Sequence, residues 1–329
     1  MTKKTLLTVV QFIIFVGLGV AIIYWKASHL SAEDKNEMYE SMRTANLWML
    51  IPLVITGFFS HWFRALRWRL LLEPVHIRPS KTNTTIAVLI GYLVNLLVPR
   101  MGEVAKCTVL ARYEGVPADK MVGTIVAERA FDLVCLILVT VFAFIVQADV
   151  IGSYAGQITG KLFQKTRSIF IIVGALMAFI ALMIFIYRRN RDSKVGRFIK
   201  GIGDGVRAIF KLEKRWLFLF YTCMIWGCYI FMLLLGFWSM PVTQGLPVLA
   251  ALVVLIFGSV GMIVTQGGIG AYPVLVGNVL THYGLDEPSG LAFGWVSWIV
   301  QTLIVLVLGF AALILMFTYN RTKHHYVKT

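Results

Sequence analysis

MVGTIVAERAFDLVCLILVTVFAFIVQ, Met121 to Gln147, is the stretch from which the rest of the chain is read. It is apolar throughout except for Glu128, Arg129 and Asp132. Its length exceeds the ~20 residues a helix needs to cross hydrocarbon. An ionisable group at that depth costs at least ~2.5 kcal/mol unless it is paired or wet. Glu128 lies eight residues into the run, which at about 1.5 Å per residue puts it ~10 to 12 Å deep. Glu128 and Asp132, four apart, share a helix face, and Arg129 is turned about 100° away. Two acids on one stripe need cations opposite them.

Outward from this stretch the chain repeats the apolar theme. Uncharged runs cover Thr5 to Trp25, Ser168 to Tyr187, Trp216 to Met240 and Leu291 to Tyr319, and Leu47 to Phe63 is long enough to join them. With Met121 to Gln147 that makes about six full spans. The composition agrees: 58% of the 329 residues are hydrophobic and 14% charged, where water-soluble folds carry roughly a quarter charged residues. Lys3 and Lys4 before the first run resemble a signal-peptide flank, but the run is long and no small-x-small cleavage site follows, so it reads as a retained anchor.

Lys and Arg resist translocation, so their distribution orients the spans. The N-terminus, Arg64 to Lys81, Arg188 to Arg215 and the tail after Tyr319 hold 20 of the 31 basic residues. The intervening segments Lys26 to Asn46, Ala148 to Arg167 and His282 to Gly290 hold three, three and none. Both termini are therefore expected on the cytoplasmic side of a bacterial-type cytoplasmic (inner) membrane. The net charge of +15 reports topology and attraction to anionic headgroups, and no nucleic-acid partner is expected. The four cysteines lack metal-ligand spacing, and His324 and His325 sit in a basic tail with no third ligand nearby, so neither metal nor cofactor is expected. Walker, GxSxG and HExxH motifs are missing from the sequence, and no enzymatic activity is expected.

Two apolar stretches are interrupted. Thr84 to Val98 breaks at Pro99-Arg100-Met101-Gly102-Glu103, resumes through Val104 to Leu110 and ends at Tyr113-Glu114-Gly115-Val116-Pro117. Leu246 to Val264 breaks at Thr265-Gln266-Gly267-Gly268-Ile269-Gly270, resumes through Ala271 to Leu280 and ends at Tyr283-Gly284-Leu285. Each is a re-entrant hairpin of half-helices or a pair of short spans, and Gly, Pro and charge at the breaks favour the first. Their opposed directions match an inverted repeat, in which broken helices build a mid-membrane site. Two unrelated hairpins packed by small residues would share the pattern. The expected fold is an all-α polytopic membrane protein of about six full spans plus two broken hairpins. Residues 1–329 form a single transmembrane domain: 1–81 the N-terminal spans, 82–147 the first hairpin and a span, 148–215 a span and basic loop, and 216–329 a span, the second hairpin and the last span.

Arg100, Lys106 and Arg112 are the cations nearest in sequence to Glu128 and Asp132, with Glu103 placed to hold one of them. Together with Arg129 they outline a polar chamber with surplus positive charge, suited to a phosphate headgroup through bidentate arginine contacts. The same charges would also serve as an ion-pair network that locks helices together. Gln266, Gly267, Gly268 and Gly270 would let the second break turn and offer bare N–H groups to an anion. Arg64, Arg67 and Trp68 end the second span as interfacial residues able to meet lipid phosphates.

Gly91 to Leu133, GYLVNLLVPRMGEVAKCTVLARYEGVPADKMVGTIVAERAFDL, resembles the hallmark region of the flippase-like family, the lysylphosphatidylglycerol synthase transmembrane region. The family's pattern falls on Asn95, Pro99, Arg100, Gly102, Glu103, Lys106, Gly115, Pro117, Thr124, Glu128, Arg129 and Asp132, and Ala65 to Pro74 resembles its Arg-Trp and Leu-Leu element. The second family motif is altered, with Thr265 in place of a proline and Pro273 in place of an acid. The resemblance implies translocation of an anionic or polyprenyl-phosphate-linked lipid, with a membrane phospholipid or polyprenyl-phosphate lipid as partner. An alternative is an accessory subunit that presents a lipid-linked substrate to a glycosyltransferase or lipid-modifying enzyme. Ten residues follow Tyr319, so aminoacyl transfer by this chain is not expected.

Overall fold

A computed structural model describes residues 3–98, 101–147, 203, 205 and 207–326, with backbone alone for 3–13 and 322–326. Every regular element among the described residues is helical. Helix α1 (Lys3–His29) is followed at a 115° bend by α2 (Ala32–Arg43). Ser31 sets the start of α2: its hydroxyl accepts the Asp34 N–H and the Asp34 carboxylate accepts the Ser31 N–H, a reciprocal cap. Asn46 caps the short turn that leads into α3 (Leu50–Leu72). The interrupted first stretch forms α4 (Lys81–Leu97) and α5 (Gly102–Glu114). Gly115, at φ +66°, ends α5, and Pro117 precedes the first residue of α6 (Ala118–Val146).

The later elements are α7 (Arg215–Ser239), α8 (Val248–Val264), α9 (Ala271–Thr281) and α10 (Glu287–Tyr326). Among the described residues, four stretches are long and apolar enough to cross a bilayer: Leu47–Val75, Ala118–Val146, Arg215–Ser239 and Glu287–Arg321. The bent pair of Ile14–His29 and Ala32–Arg43 makes up to a fifth. The expected span Ser168 to Tyr187 lies outside the described residues. Leu303, Val307 and Phe310 make an exposed apolar stripe on α10, as a helix facing lipid requires. The chain is a multi-pass membrane protein.

One expectation is corrected. The second span does not end at Phe63; its helix runs on to Leu72 through Arg64, Arg67 and Arg69. The reason is tertiary: acids on α6 neutralise the first two arginines, so these charges sit inside the fold where a sequence rule assigns them to water.

The chain divides into two compact units. The first comprises Met1–Ser60, Leu89–Gly102 and Trp226–Ala312, and the second His61–Val88, Glu103–Ile225 and Leu313–Thr329. In the first unit α8 and α9 fold back on one another, and helix backbones approach closely where side chains are smallest. A Cβ on Gly261 would lie 2.7 Å from the Tyr272 Cα, and one on Gly294 2.5 Å from the Pro273 carbonyl oxygen. This is the small-residue packing that replaces a hydrophobic driving force in lipid. Leu53, Leu235 and Ile304 form a core cluster beside it. In the second unit, Ser80 and Asn83 donate to the Glu114 carboxylate (both 2.6 Å), and Asn83 exchanges amide hydrogen bonds with Asn320 (3.1 Å). The start of α4 is thereby tied to the end of α5.

Candidate functional site

Helix α3 carries Arg64 and Arg67 three residues apart, and α6 carries Glu128 and Asp132 four apart, so each pair occupies one face of its helix. In the second unit these faces meet. Arg64 Nη1 lies 2.7 Å from Asp132 Oδ2, and Arg67 Nη2 lies 2.6 Å from Asp132 Oδ1, one guanidinium for each carboxylate oxygen. Both guanidinium groups also reach Glu128 Oε1 at 3.4 Å. The other Glu128 oxygen, Oε2, accepts from Lys106 Nζ at 3.0 Å. Lys106 also pairs with Glu103, one turn earlier on α5, at 3.0 Å. Glu103 in turn accepts from Arg129, whose Nε lies 2.8 Å from Oε1.

The result is a ladder of charge graded by exposure. Arg67 and Glu128 have no exposed side-chain surface, Asp132 has 17%, Glu103 24% and Arg129 46%. Among the described residues of this ladder, four cations face three carboxylates. Desolvating each ion costs several kcal/mol, and only multiple partners offset that. Glu128 has three such partners. Further contacts fix the cationic side: Trp68, fully buried, donates its indole N–H to Thr124 Oγ1 at 3.0 Å and presents its ring to Lys106 Nζ at 4.6 Å. Arg67 donates to Thr222 and its guanidinium lies 5.5 Å from the Phe218 ring centroid. The Arg67 Nε–H has no acceptor among the described residues. A buried donor left so costs ~1–3 kcal/mol, which a water or an anion oxygen in the cluster would recover.

In the first unit the two breaks in the sequence come together. The Asn95 carboxamide oxygen accepts the Gly102 N–H at 2.7 Å, and the Asn95 carbonyl accepts from Gln266 Nε2 at 3.2 Å. Gly267, Gly268 and Gly270 have φ of +61°, +75° and +73°, the left-handed region that side chains disfavour. The Gly267 carbonyl accepts the Trp298 indole N–H at 2.7 Å.

Residues 9–309 match the family described as the lysylphosphatidylglycerol synthase TM region. The chain belongs to that family. No curated protein sequence and no solved structure matches it.

The sequence placed the site residues unevenly. Glu103, Lys106, Glu128, Arg129 and Asp132 do assemble. Arg112 does not: it is exposed, its guanidinium 5.8 Å over the Tyr113 ring. Arg100 lies outside the described residues. Arg64, Arg67 and Trp68, read as interfacial, are instead buried, Arg64 and Arg67 as the main counterions of the two acids. Arg64 and Arg67 share a helix face at i, i+3, as Glu128 and Asp132 do at i, i+4, but the apolar run ends at Phe63 and nothing in the sequence marks these arginines as buried. Trp298 as the partner of the glycine break had no sequence signal either.

Proposed function

We propose that this TM region translocates an anionic or polyprenyl-phosphate-linked lipid across the cytoplasmic membrane, with both chain termini on the cytoplasmic side. Membership in a lipid-related family supports the class of function. The observation that carries the finer reading is the surplus cation at the exposed end of the ladder. Arg129 and Lys106 share one carboxylate, Glu103, and Arg129 is half exposed. A headgroup phosphate arriving at Arg129 exchanges with Glu103 for the same donors, and a guanidinium accepts a phosphate with two parallel hydrogen bonds. The innermost pairs around Glu128 stay closed and hold the helices while the outer pair turns over. The acyl or prenyl tails remain in lipid. The chain acts here as a carrier and not as a catalyst.

The test is reconstitution of the full chain into liposomes that contain headgroup-labelled phosphatidylglycerol or phosphatidylcholine, with flipping followed by reductive quenching. We expect accelerated flipping of the anionic lipid, reduced at least tenfold by Arg129→Gln with little change in thermal stability, because an exposed pair contributes ~0–1 kcal/mol. No acceleration for any labelled lipid, or an Arg129→Gln variant indistinguishable from the parent, removes this reading and leaves presentation of a lipid-linked substrate to an enzyme.

A further inference from the structure

The first unit holds a cavity of about 150 Å³ between α3, α7, α8 and α10. Leu53, Met232, Met262 and Val300 form its walls. Its polar groups are neutral: Asn46 stands at one end, and at the other Gln301 donates to the Tyr272 hydroxyl at 2.8 Å. None of its lining residues is an Asp, Glu, Lys, Arg or His. A phosphate or ammonium group placed there would lose its water with no opposite charge in return. A hydrocarbon segment carries no charge to desolvate, and the Ser239 and Ser259 hydroxyls on the wall already donate to carbonyls of their own helices.

Position along the helices points the same way. Asn46 and Leu47 precede α3, and Ser239 is the last residue of α7, so one end of the cavity lies at the ends of two spans. Gln301 is ten residues past Leu291, where the apolar part of α10 begins, which is ~15 Å along the axis, about halfway across a hydrocarbon core of ~30 Å. The cavity therefore runs lengthwise, from the interface inwards. At its outer end Leu47 is 73% exposed and Trp48 beside it 78%, an exposed apolar lip. An apolar cavity of about this volume holds a benzene-sized ligand. That is room for a segment of one chain. Unbranched methionines let the wall adapt to its shape.

We propose that this cavity is a binding site for a single hydrocarbon chain, acyl or prenyl, of a membrane lipid, with the polar end of that lipid left outside the cavity beyond Asn46. The site is separate from the charge ladder and does not depend on it. The test uses the full chain in phosphatidylcholine vesicles doped with either a phospholipid carrying a diazirine on one acyl chain or a prenol carrying the same group, followed by photolysis and peptide mapping. Adducts are expected at Met232, Met262 and Val300, and to fall when unlabelled lipid is added in excess. Val300→Trp, which fills the cavity, should cut adducts at Met232 and Met262 at least tenfold. Labelling of the bilayer-facing Val307 and Phe310 should be unchanged, which shows that the variant is folded. Met232→Phe provides a second filling variant. Which probe labels the cavity identifies the chain type. Labelling at the lining residues no higher than at Val307 and Phe310, from both probes, or labelling that both filled variants retain, overturns the proposal. Loss of flipping with cavity labelling intact would count against the transport reading alone.

Discussion

Glu128→Gln lowers the stability of this protein by about 3–5 kcal/mol, the range for removing one partner of a buried ion pair and leaving the other uncompensated. The carboxylate has no exposed surface and stands within 3.4 Å of Arg64 and Arg67 and 3.0 Å of Lys106. Without its charge, Arg64, Arg67, Lys106 and Arg129 face the Asp132 and Glu103 carboxylates alone. Repulsion among them then acts in a medium that screens poorly. The expected readout is a fall in the midpoint of unfolding by SDS and loss of monodisperse protein on heating. Lys106→Met placed in the Glu128→Gln background should recover part of the loss. A double-mutant cycle over these two positions should give a coupling of about 0.5–3 kcal/mol. Arg129→Gln, at the half-exposed end, should cost less than about 1 kcal/mol. A Glu128→Gln protein as stable as the parent would mean that the ladder does not hold these helices together.

The sequence carries the spans and the shared face of Glu128 and Asp132 because both are local: one is a run length, the other a spacing of four. It also carries the glycine that ends α5, since Gly115 must take a left-handed conformation there. The counterions were another matter. Lys106 and Arg112 are among the cations nearest to the acids along the chain, yet the structure places Lys106 against them and leaves Arg112 exposed. Arg64 and Arg67 lie more than sixty residues upstream, and no periodicity reports which helix faces which. For the same reason Trp68 and the arginines beside it resembled an interfacial belt. Their burial depends on a partner helix that a reading of α3 alone does not contain. The junction of the two breaks is still more remote, because Gln266 reaches Asn95 across 171 positions. Each break announces itself by its glycines, but their meeting is a property of the fold.

At that junction Gly102→Ala should be the most damaging of the glycine-to-alanine changes among the described residues. A Cβ on Gly102 would fall inside the van der Waals contact distance of the Gly91 carbonyl oxygen and of the Asn95 side chain. The first is backbone and cannot swing aside. The second is held in place because it accepts the Gly102 N–H. The methyl group therefore displaces the start of α5 from α4 and breaks that hydrogen bond together. Overpacking of this kind costs ~1–3 kcal/mol and more where backbone must move, and the buried N–H left behind adds ~1–3 kcal/mol. Gly123→Ala is the matched control: it lies within α6, and a Cβ there meets nothing within 4 Å. It should be neutral or stabilise by roughly 0.5–1 kcal/mol, the ordinary helical preference for alanine over glycine. Comparing the SDS unfolding midpoints of the two variants isolates the close approach from the loss of glycine itself. Equal midpoints would mean that the first break does not rest on contact between Gly102 and α4.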